Sequence, residues 1–165
     1  MSELHIRPAE PRDVPRILQF ITDLATYERE PDAVEASEEM IHESLFGPEP
    51  RVFALICELG SGDGERLAIG FAIYFFNYST WLGRHGIYLE DLYVDPDARG
   101  CGAGKALLKA VAREALTRDC GRFEWSVLKW NTPSIEFYEA CGARPQSEWV
   151  GYRMDRSAIE AFAGT

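Results

Sequence analysis

A three-layer mixed α/β fold is predicted for this 165-residue chain by three observations. Short β-rich runs alternate with segments whose apolar residues recur at helical spacing, in the order β-α-α-β-β-β-α-β-α-β. A glycine-rich turn (Gly100, Gly102, Gly104) separates an apolar strand pattern from an alanine- and leucine-rich helix pattern. Composition is that of a folded chain, 46% hydrophobic and 12% aromatic, with no repeat, low-complexity tract or linker to divide it. A single domain over residues 1–165 is therefore expected.

The elements follow in order. Leu4 to Arg7 reads as a short strand. Pro11 to Arg29 reads as a helix, with Val14, Ile17, Leu18, Ile21, Leu24 and Ala25 on one stripe and Glu10 and Asp13 near its start. Ser37 to Leu45 is a more acidic helix, opened by Ser37 with Glu38 and Glu39 and ended by Gly47-Pro48. Arg51 to Leu59 and Leu67 to Phe76 are strands joined by the polar turn Gly60-Ser61-Gly62-Asp63-Gly64. Asn77 to Gly86 is expected to be a loop, Ile87 to Val94 a strand and Gly104 to Thr117 a helix. Arg122 to Leu128 is expected as a strand, Thr132 to Ala140 as a helix, Trp149 to Met154 as a final strand and Ser157 to Phe162 as a terminal helix.

Leu89 to Lys109 carries most of the chemical information. Gly100, Gly102 and Gly104 let backbone N–H groups approach a ligand that side chains would hold off. The helix that follows directs its positive end at the same point, which makes an anion site suited to a diphosphate. Two commoner motifs are excluded. A dinucleotide-binding G-x-G-x-x-G would need glycine where Lys105 stands, and a P-loop would need glycine at Arg99 and Ser or Thr at Ala106. A tight turn before a helix is the plain alternative. Further on, Trp130 to Ala143 reads as a strand end, a helix capped by Asn131 with Pro133 in its first turn, and a stop at Gly142.

The arch Arg99-Gly100-Cys101-Gly102-Ala103-Gly104 and the segment Asn131-x-x-Ser134-x-x-x-Tyr138, in this order, resemble the GNAT superfamily of N-acetyltransferases. Ile6-Arg7-Pro8-Ala9, Leu24-Ala25-Thr26-Tyr27-Glu28, Gly70-Phe71-Ala72, Tyr78-Ser79-Thr80-Trp81-Leu82-Gly83 and Tyr88-Leu89-Glu90-Asp91 extend this resemblance to the diamine (spermidine/spermine) N1-acetyltransferase family. It covers nearly the whole chain. It implies an acyl-CoA N-acyltransferase fold with a mostly antiparallel central sheet, in a homodimeric cytosolic enzyme that moves acetyl from acetyl-CoA to a primary amine. Polyamine-acetylating members carry an acidic residue just before the Pro-Trp of the loop joining strands 3 and 4. Here that stretch is Tyr78-Ser79-Thr80-Trp81, similar to the thialysine N-ε-acetyltransferase branch, so a lysine-like amine is favoured over a polyamine. Gln146 to Tyr152 also departs from the family's usual Glu-Gly-Trp.

The resemblance and the chemistry of amide formation together assign candidate roles. An alkylammonium has a pKa of about 10.4 and must lose a proton before attack. Glu90 is the candidate base, and strand alternation is expected to turn Glu90 and Asp91 to opposite faces, so that only one enters the site. The resemblance implies that backbone N–H groups of Leu92, Tyr93 and Val94 hold the acetyl and pantetheine groups where the strand splays from its neighbour. It implies that Arg99, Gly100, Cys101, Gly102, Ala103, Gly104 and Lys105 hold the diphosphate, with Asn131 and Ser134 also contacting coenzyme A. Tyr138 is the candidate acid for the departing thiolate, or else a core aromatic beside Phe137. Tyr27 and Glu28 end the first helix, where a carboxylate opposes the helix dipole, so binding of a cationic amine competes with a solvated charge as its explanation. Asp91 and Trp81 are further substrate candidates, and packing explains Trp81 equally well.

A net charge of −10, from 27 acidic and 17 basic residues, disfavours nucleic acid and suits a small cationic substrate. Cys57, Cys101, Cys120 and Cys141 form no C-x-x-C pair and His5, His42 and His85 are scattered, so no metal site is expected. No apolar run reaches membrane-spanning length, structure begins too early for a signal peptide, and free thiols suit a reducing compartment, so no membrane partner and a cytoplasmic location are expected. The competing readings are a GNAT enzyme acting on a peptide or antibiotic amine, and a non-catalytic acyl-CoA sensor. A phosphate-transfer enzyme lacks the P-loop it would need.

Overall fold

The structure is a computed structural model that describes residues 3–61 and 63–164; Gly62, in the expected polar turn, lies outside the described residues. Two compact units divide the chain, Met1–Ser126 and Val127–Thr165.

In the first unit, β1 (Glu3–Pro8), β2 (Val52–Gly60), β3 (Arg66–Ser79), β4 (Arg84–Val94) and β5 (Phe123–Trp125) form one sheet in the order β1-β2-β3-β4-β5. The first four strands pair antiparallel. Only β4 and β5 are parallel, as they must be when a helix, α3 (Ala103–Thr117), carries the chain between them. The expected mostly antiparallel sheet is what forms.

The helices α1 (Val14–Tyr27) and α2 (Glu38–Phe46) cover one face. Register aligns Ile56, Phe71 and Tyr93 across β2, β3 and β4, and this row packs with Val14, Ile17, Phe20, Ile41 and Leu45 in one cluster. Phe20 stacks on Phe71 at 5.5 Å and leans on Tyr93 at 5.9 Å. Side chains alternate along a strand, so Ala72 and Tyr74 turn to the other face. There α3 buries Leu107, Leu108, Val111 and Ala115, and Arg118 lies over the Phe76 ring. Each fully buried Ile or Phe contributes about 1.5–3 kcal/mol, more than any exposed ion pair, so this double-sided core rather than surface charge holds the sheet.

The entry to α1 is fixed by one arginine. Arg7 donates to both Asp13 oxygens (2.7 and 2.9 Å) and to Glu58 (2.9 Å), and Asp13 also accepts the Glu10 N–H. The group therefore ties β1, β2 and the start of the helix together. Residues Pro11–Asp13 form a 3-10 turn, and the α-helix proper begins at Val14. Ser37 caps α2 as expected, accepting the Met40 N–H at 3.2 Å.

Three expectations are corrected. Residues Asn77 to Gly86 are not a loop: β3 runs to Ser79, β4 starts at Arg84, and Tyr78 faces His85 across the hairpin with ring centroids 5.1 Å apart. The strand expected from Arg122 to Leu128 shrinks to Phe123–Trp125. In the second unit, α4 (Thr132–Ala140) and α5 (Arg156–Ala163) form, the latter capped by Asp155 on the Ala158 N–H at 2.8 Å. Residues Trp149 to Met154 are irregular rather than a strand. A strand needs a neighbour to satisfy its backbone, and among the described residues of its own unit there is no other strand to pair with.

Candidate active site

The carboxylates of β4 sit at a break in register. Asp91 pairs with Ile73 but Leu89 pairs with Tyr74, leaving Glu90 as an extra residue, a β-bulge. Ile73 packs against the α1 cluster, so Asp91 faces α1, while Leu89 and Tyr74 face α3. Alternation from Leu89 then places Glu90 on the same side as Asp91. The expectation that the two carboxylates face opposite sides is thus overturned. Their proximity shows in the titration of Asp91, which is pushed up to about 6 by burial, with the Glu90 and Glu28 charges adding to it. Glu28, the residue that ends α1, is also pushed upward, by burial. Three acidic side chains therefore meet beside β4, and Tyr27 stands next to them at the helix end.

Beyond Leu89, β4 loses its neighbour on one edge, because the parallel pairing stops at Leu89–Trp125. The Asp95 N–H bonds Ile69 on the β3 side at 2.8 Å. Alternation then directs the N–H groups of Val94 and Leu92 to the open edge and that of Tyr93 to β3. Two of the three expected backbone donors are free to meet a ligand; the Tyr93 N–H belongs to the sheet.

The arch leaves β4 through a 3-10 turn, Pro96–Ala98. Its root is held by Arg16, which bonds Asp95 at 2.6 Å and the Ala68 carbonyl at 3.0 Å. Gly100 and Gly102 take positive φ, +86° and +84°, where a side chain is strained. The first α3 bond runs from the Ala106 N–H to Gly102 at 2.9 Å, leaving the N–H groups of Ala103, Gly104 and Lys105 without an intrahelical acceptor. Gly104 has ordinary helical geometry, and a methyl group there would touch only Val94, at 4.0 Å. Packing therefore does not require glycine at this position, where it lowers helix propensity, and the space beside its backbone is open to a close-approaching ligand. These donors fit a diphosphate. Cys101 is exposed, its thiol donating to the Ala98 carbonyl at 2.9 Å, so it adds backbone to the arch and a side chain turned back on the preceding turn. Arg99 does not lie along these donors: its guanidinium sits over the Tyr27 ring, 5.4 Å from the centroid.

The β3–β4 turn presents Trp81 almost fully to solvent (87%). Ser79 is buried (4%) and shapes the turn, its hydroxyl accepting the Leu82 N–H at 3.2 Å. The residue that replaces the polyamine branch's acid is thus part of the turn's framework.

In the second unit, Gly142 ends α4 at φ +97°, with the Ala143 N–H returning to Tyr138 at 3.1 Å. Asn131 stands at the expected cap position but its side chain makes no cap hydrogen bond, and it is buried. Asn131, Ser134 and Tyr138 recur at helical spacing and share one face of α4. Tyr138 is half-buried, with its ring 5.4 Å from Phe137.

Sequence reasoning missed the anchoring role of Arg16 and the contact between Arg99 and Tyr27. The available signal for the first was an arginine one turn before Phe20 on an otherwise apolar stripe; its guanidinium lies 4.3 Å from that ring. Nothing in the sequence gives the direction of Arg99. Among the described residues no cluster of metal-ligating side chains occurs and no helix is long and apolar enough to cross a membrane.

Comparison with known proteins agrees with this geometry. The acetyltransferase (GNAT) family profile matches residues 16–143. Thialysine N-epsilon-acetyltransferase of Sus scrofa is 39% identical, over 99% of both chains. L-ornithine N5-acetyltransferase of Arabidopsis thaliana is 30% identical, over 95% of this chain and 86% of its own. Among solved structures, an integron cassette protein from the mobile metagenome of V. cholerae superposes with a TM-score of 0.77 at 25% identity, covering 98% of both chains. A glycine arch on a helix start, an open β4 edge and relatives that are N-acetyltransferases over nearly the whole chain agree: the chain is an acetyltransferase and belongs to the GNAT family.

Proposed function

We propose that this enzyme transfers acetyl from acetyl-CoA to the primary amine of a small cationic substrate, a lysine-like side-chain amine such as that of thialysine, by direct attack within one acetyltransferase domain spanning the chain. The observation that carries the reading is the meeting of Glu28, Glu90 and Asp91 beside the open edge of β4. A buried carboxyl whose ionisation two neighbouring carboxylates make costlier is a binding place for an ammonium, which relieves that repulsion. The relatives named for thialysine and ornithine support an amino-acid side chain as acceptor, and the buried Ser79 supports it over a polyamine.

Glu90, exposed at the bulge, takes the proton from the ammonium, directly or through water, while Asp91, Glu28 and Tyr27 hold the cation. The N–H groups of Leu92 and Val94 bind the thioester carbonyl and pantetheine, favouring negative charge as it develops on the oxygen. The arch from Arg99 to Lys105 holds the diphosphate. Asn131 and Ser134 add contacts to coenzyme A, and Tyr138, on the same face of α4, gives its proton to the departing thiolate. Trp81, the remaining substrate candidate, stands on the β3–β4 turn about 20 Å along β4 from Glu90, too far to touch the ammonium held there. Acetyl-CoA serves as co-substrate, no metal takes part, and neither nucleic acid nor membrane is a partner.

The reading includes a homodimer in the cytoplasm. The dimer is supported by the resemblance to the diamine N1-acetyltransferase family, which implies a homodimeric enzyme. The compartment is supported by four cysteines that stay as free thiols.

Release of CoA from acetyl-CoA, measured against thialysine, lysine, ornithine, spermidine, spermine, putrescine and a basic peptide, tests the assignment. Saturable turnover with the amino acids at a kcat/KM well above that for polyamines is expected. A spermidine preference would refute the argument from Ser79, and turnover confined to the peptide would refute the small-substrate reading.

A further inference from the structure

Arg99 belongs to the arch by sequence, yet its guanidinium rests on Tyr27, 5.4 Å from the ring centroid. It also lies close enough to Tyr93 for its charge to act on that hydroxyl, together with Arg16. Both contacts are on the α1 side of the sheet, the side of Glu28, Glu90 and Asp91. A cation of the protein therefore stands on the ring of Tyr27, the residue before Glu28 at the end of α1 that the proposed amine site uses.

We propose that Arg99 couples the two ligand sites: held on Tyr27 in the free enzyme, it competes with the amine, and the cofactor's diphosphate draws it away. The proposal rests on the reading of this site as an amine site. The exchange is favourable because a guanidinium–diphosphate pair is charge-assisted and bidentate, whereas an exposed cation–π contact is weak. Arg99 is exposed at the end of the 3-10 turn, and the glycine that follows it has positive φ, so the side chain can swing without disturbing α3. The amine and the cofactor both require the released form, so each strengthens the other's binding, and the coupling is reciprocal.

Its size follows from the contact. An exposed cation–π pair favours the held form about two- to five-fold. A ligand confined to the released form loses that population, so CoA should tighten amine binding about three- to six-fold. Arg99 is in this sense a positioning residue for the amine as well as a cofactor contact.

Two measurements test it. In the first, the Arg99 Nε–H resonance of ¹⁵N-labelled protein is followed by NMR with and without CoA. The ring current of Tyr27 should displace it in the free protein, saturating CoA should abolish the displacement, and Tyr27→Leu should lack it from the start. Persistence of the ring-current signature at saturating CoA would overturn the proposal. This arm needs no amine, so it decides the Arg99 contact even if thialysine proves not to be the acceptor. In the second, thialysine affinity is measured by calorimetry with and without CoA. The wild type and Tyr27→Phe should show the three- to six-fold gain. Arg99→Gln should bind thialysine without CoA as tightly as the CoA-loaded wild type does, with no further gain. Equal thialysine affinity with and without CoA in the wild type would also overturn the coupling.

Discussion

Replacing Asp91 with Asn removes a carboxyl group that the fold holds at a loss. Its pKa lies near 3.8 without the protein around it and at about 6 within it. A shift of about two units at ~1.4 kcal/mol each corresponds to about 3 kcal/mol of destabilisation when the group is ionised. Asn still has an amide to desolvate, at about 1 kcal/mol, so the variant should gain about 2 kcal/mol at pH 8. For a chain of this length that raises Tm by about 4–8 °C. The sign of the pH dependence follows from proton counts. Between about pH 4 and pH 6 the folded form binds more protons than the unfolded one, so the wild type loses stability as pH rises through this window. The advantage of Asp91→Asn should be complete above about pH 7 and vanish near pH 4. Calorimetric melting of both proteins from pH 4 to pH 8 checks it. A variant no more stable than the wild type at pH 8, or a Tm difference that does not change with pH, would refute the reasoning. The same variant should bind a cationic amine less well, so stability and function should move in opposite directions.

Gly104→Ala should leave the fold intact or stabilise it by about 0.5–1 kcal/mol, while KM for acetyl-CoA rises ten-fold or more; an unchanged KM would show that the arch does not bring a ligand close to this position. Tyr138→Phe should lower kcat about a hundred-fold or more with acetyl-CoA affinity retained, read by steady-state kinetics alongside direct CoA binding. Ser79→Asp can keep the bond from the Leu82 N–H and adds a charge at the turn; a several-fold rise in the spermidine-to-thialysine ratio of kcat/KM is expected, of the size one partly exposed charge supplies.

Much of this fold is legible because its signals are local. Ser37 before two glutamates, glycines at 100, 102 and 142, and the apolar stripe of α1 each act within a few residues, and each appears where its chemistry predicts. The bulge at Glu90 is different. Nothing in Leu89-Glu90-Asp91 marks an extra residue; the slip is set across the sheet, where Ile73 must face α1 and Tyr74 must face α3. One unseen register shift was enough to reverse the relation between the two carboxylates that matter most. The hairpin was hidden for a related reason: Asn77, Tyr78, Arg84 and His85 look like loop residues until they are paired. Residues Trp149 to Met154 carry strand composition without a partner to complete it, and composition cannot supply one.

The short pairing of β4 with β5 has a consequence for how the molecule opens. β5 is joined by three residue pairs, whereas β3 meets β4 along ten. Cooperative opening follows the number of shared bonds, so β5 should detach in excursions that leave the antiparallel body closed. Deuterium uptake at Phe123–Trp125 should then be rapid and independent of global unfolding. A molecule that laces the free edge of β4 would slow it, and the rate at those three amides would read out occupancy of the cofactor edge without any turnover.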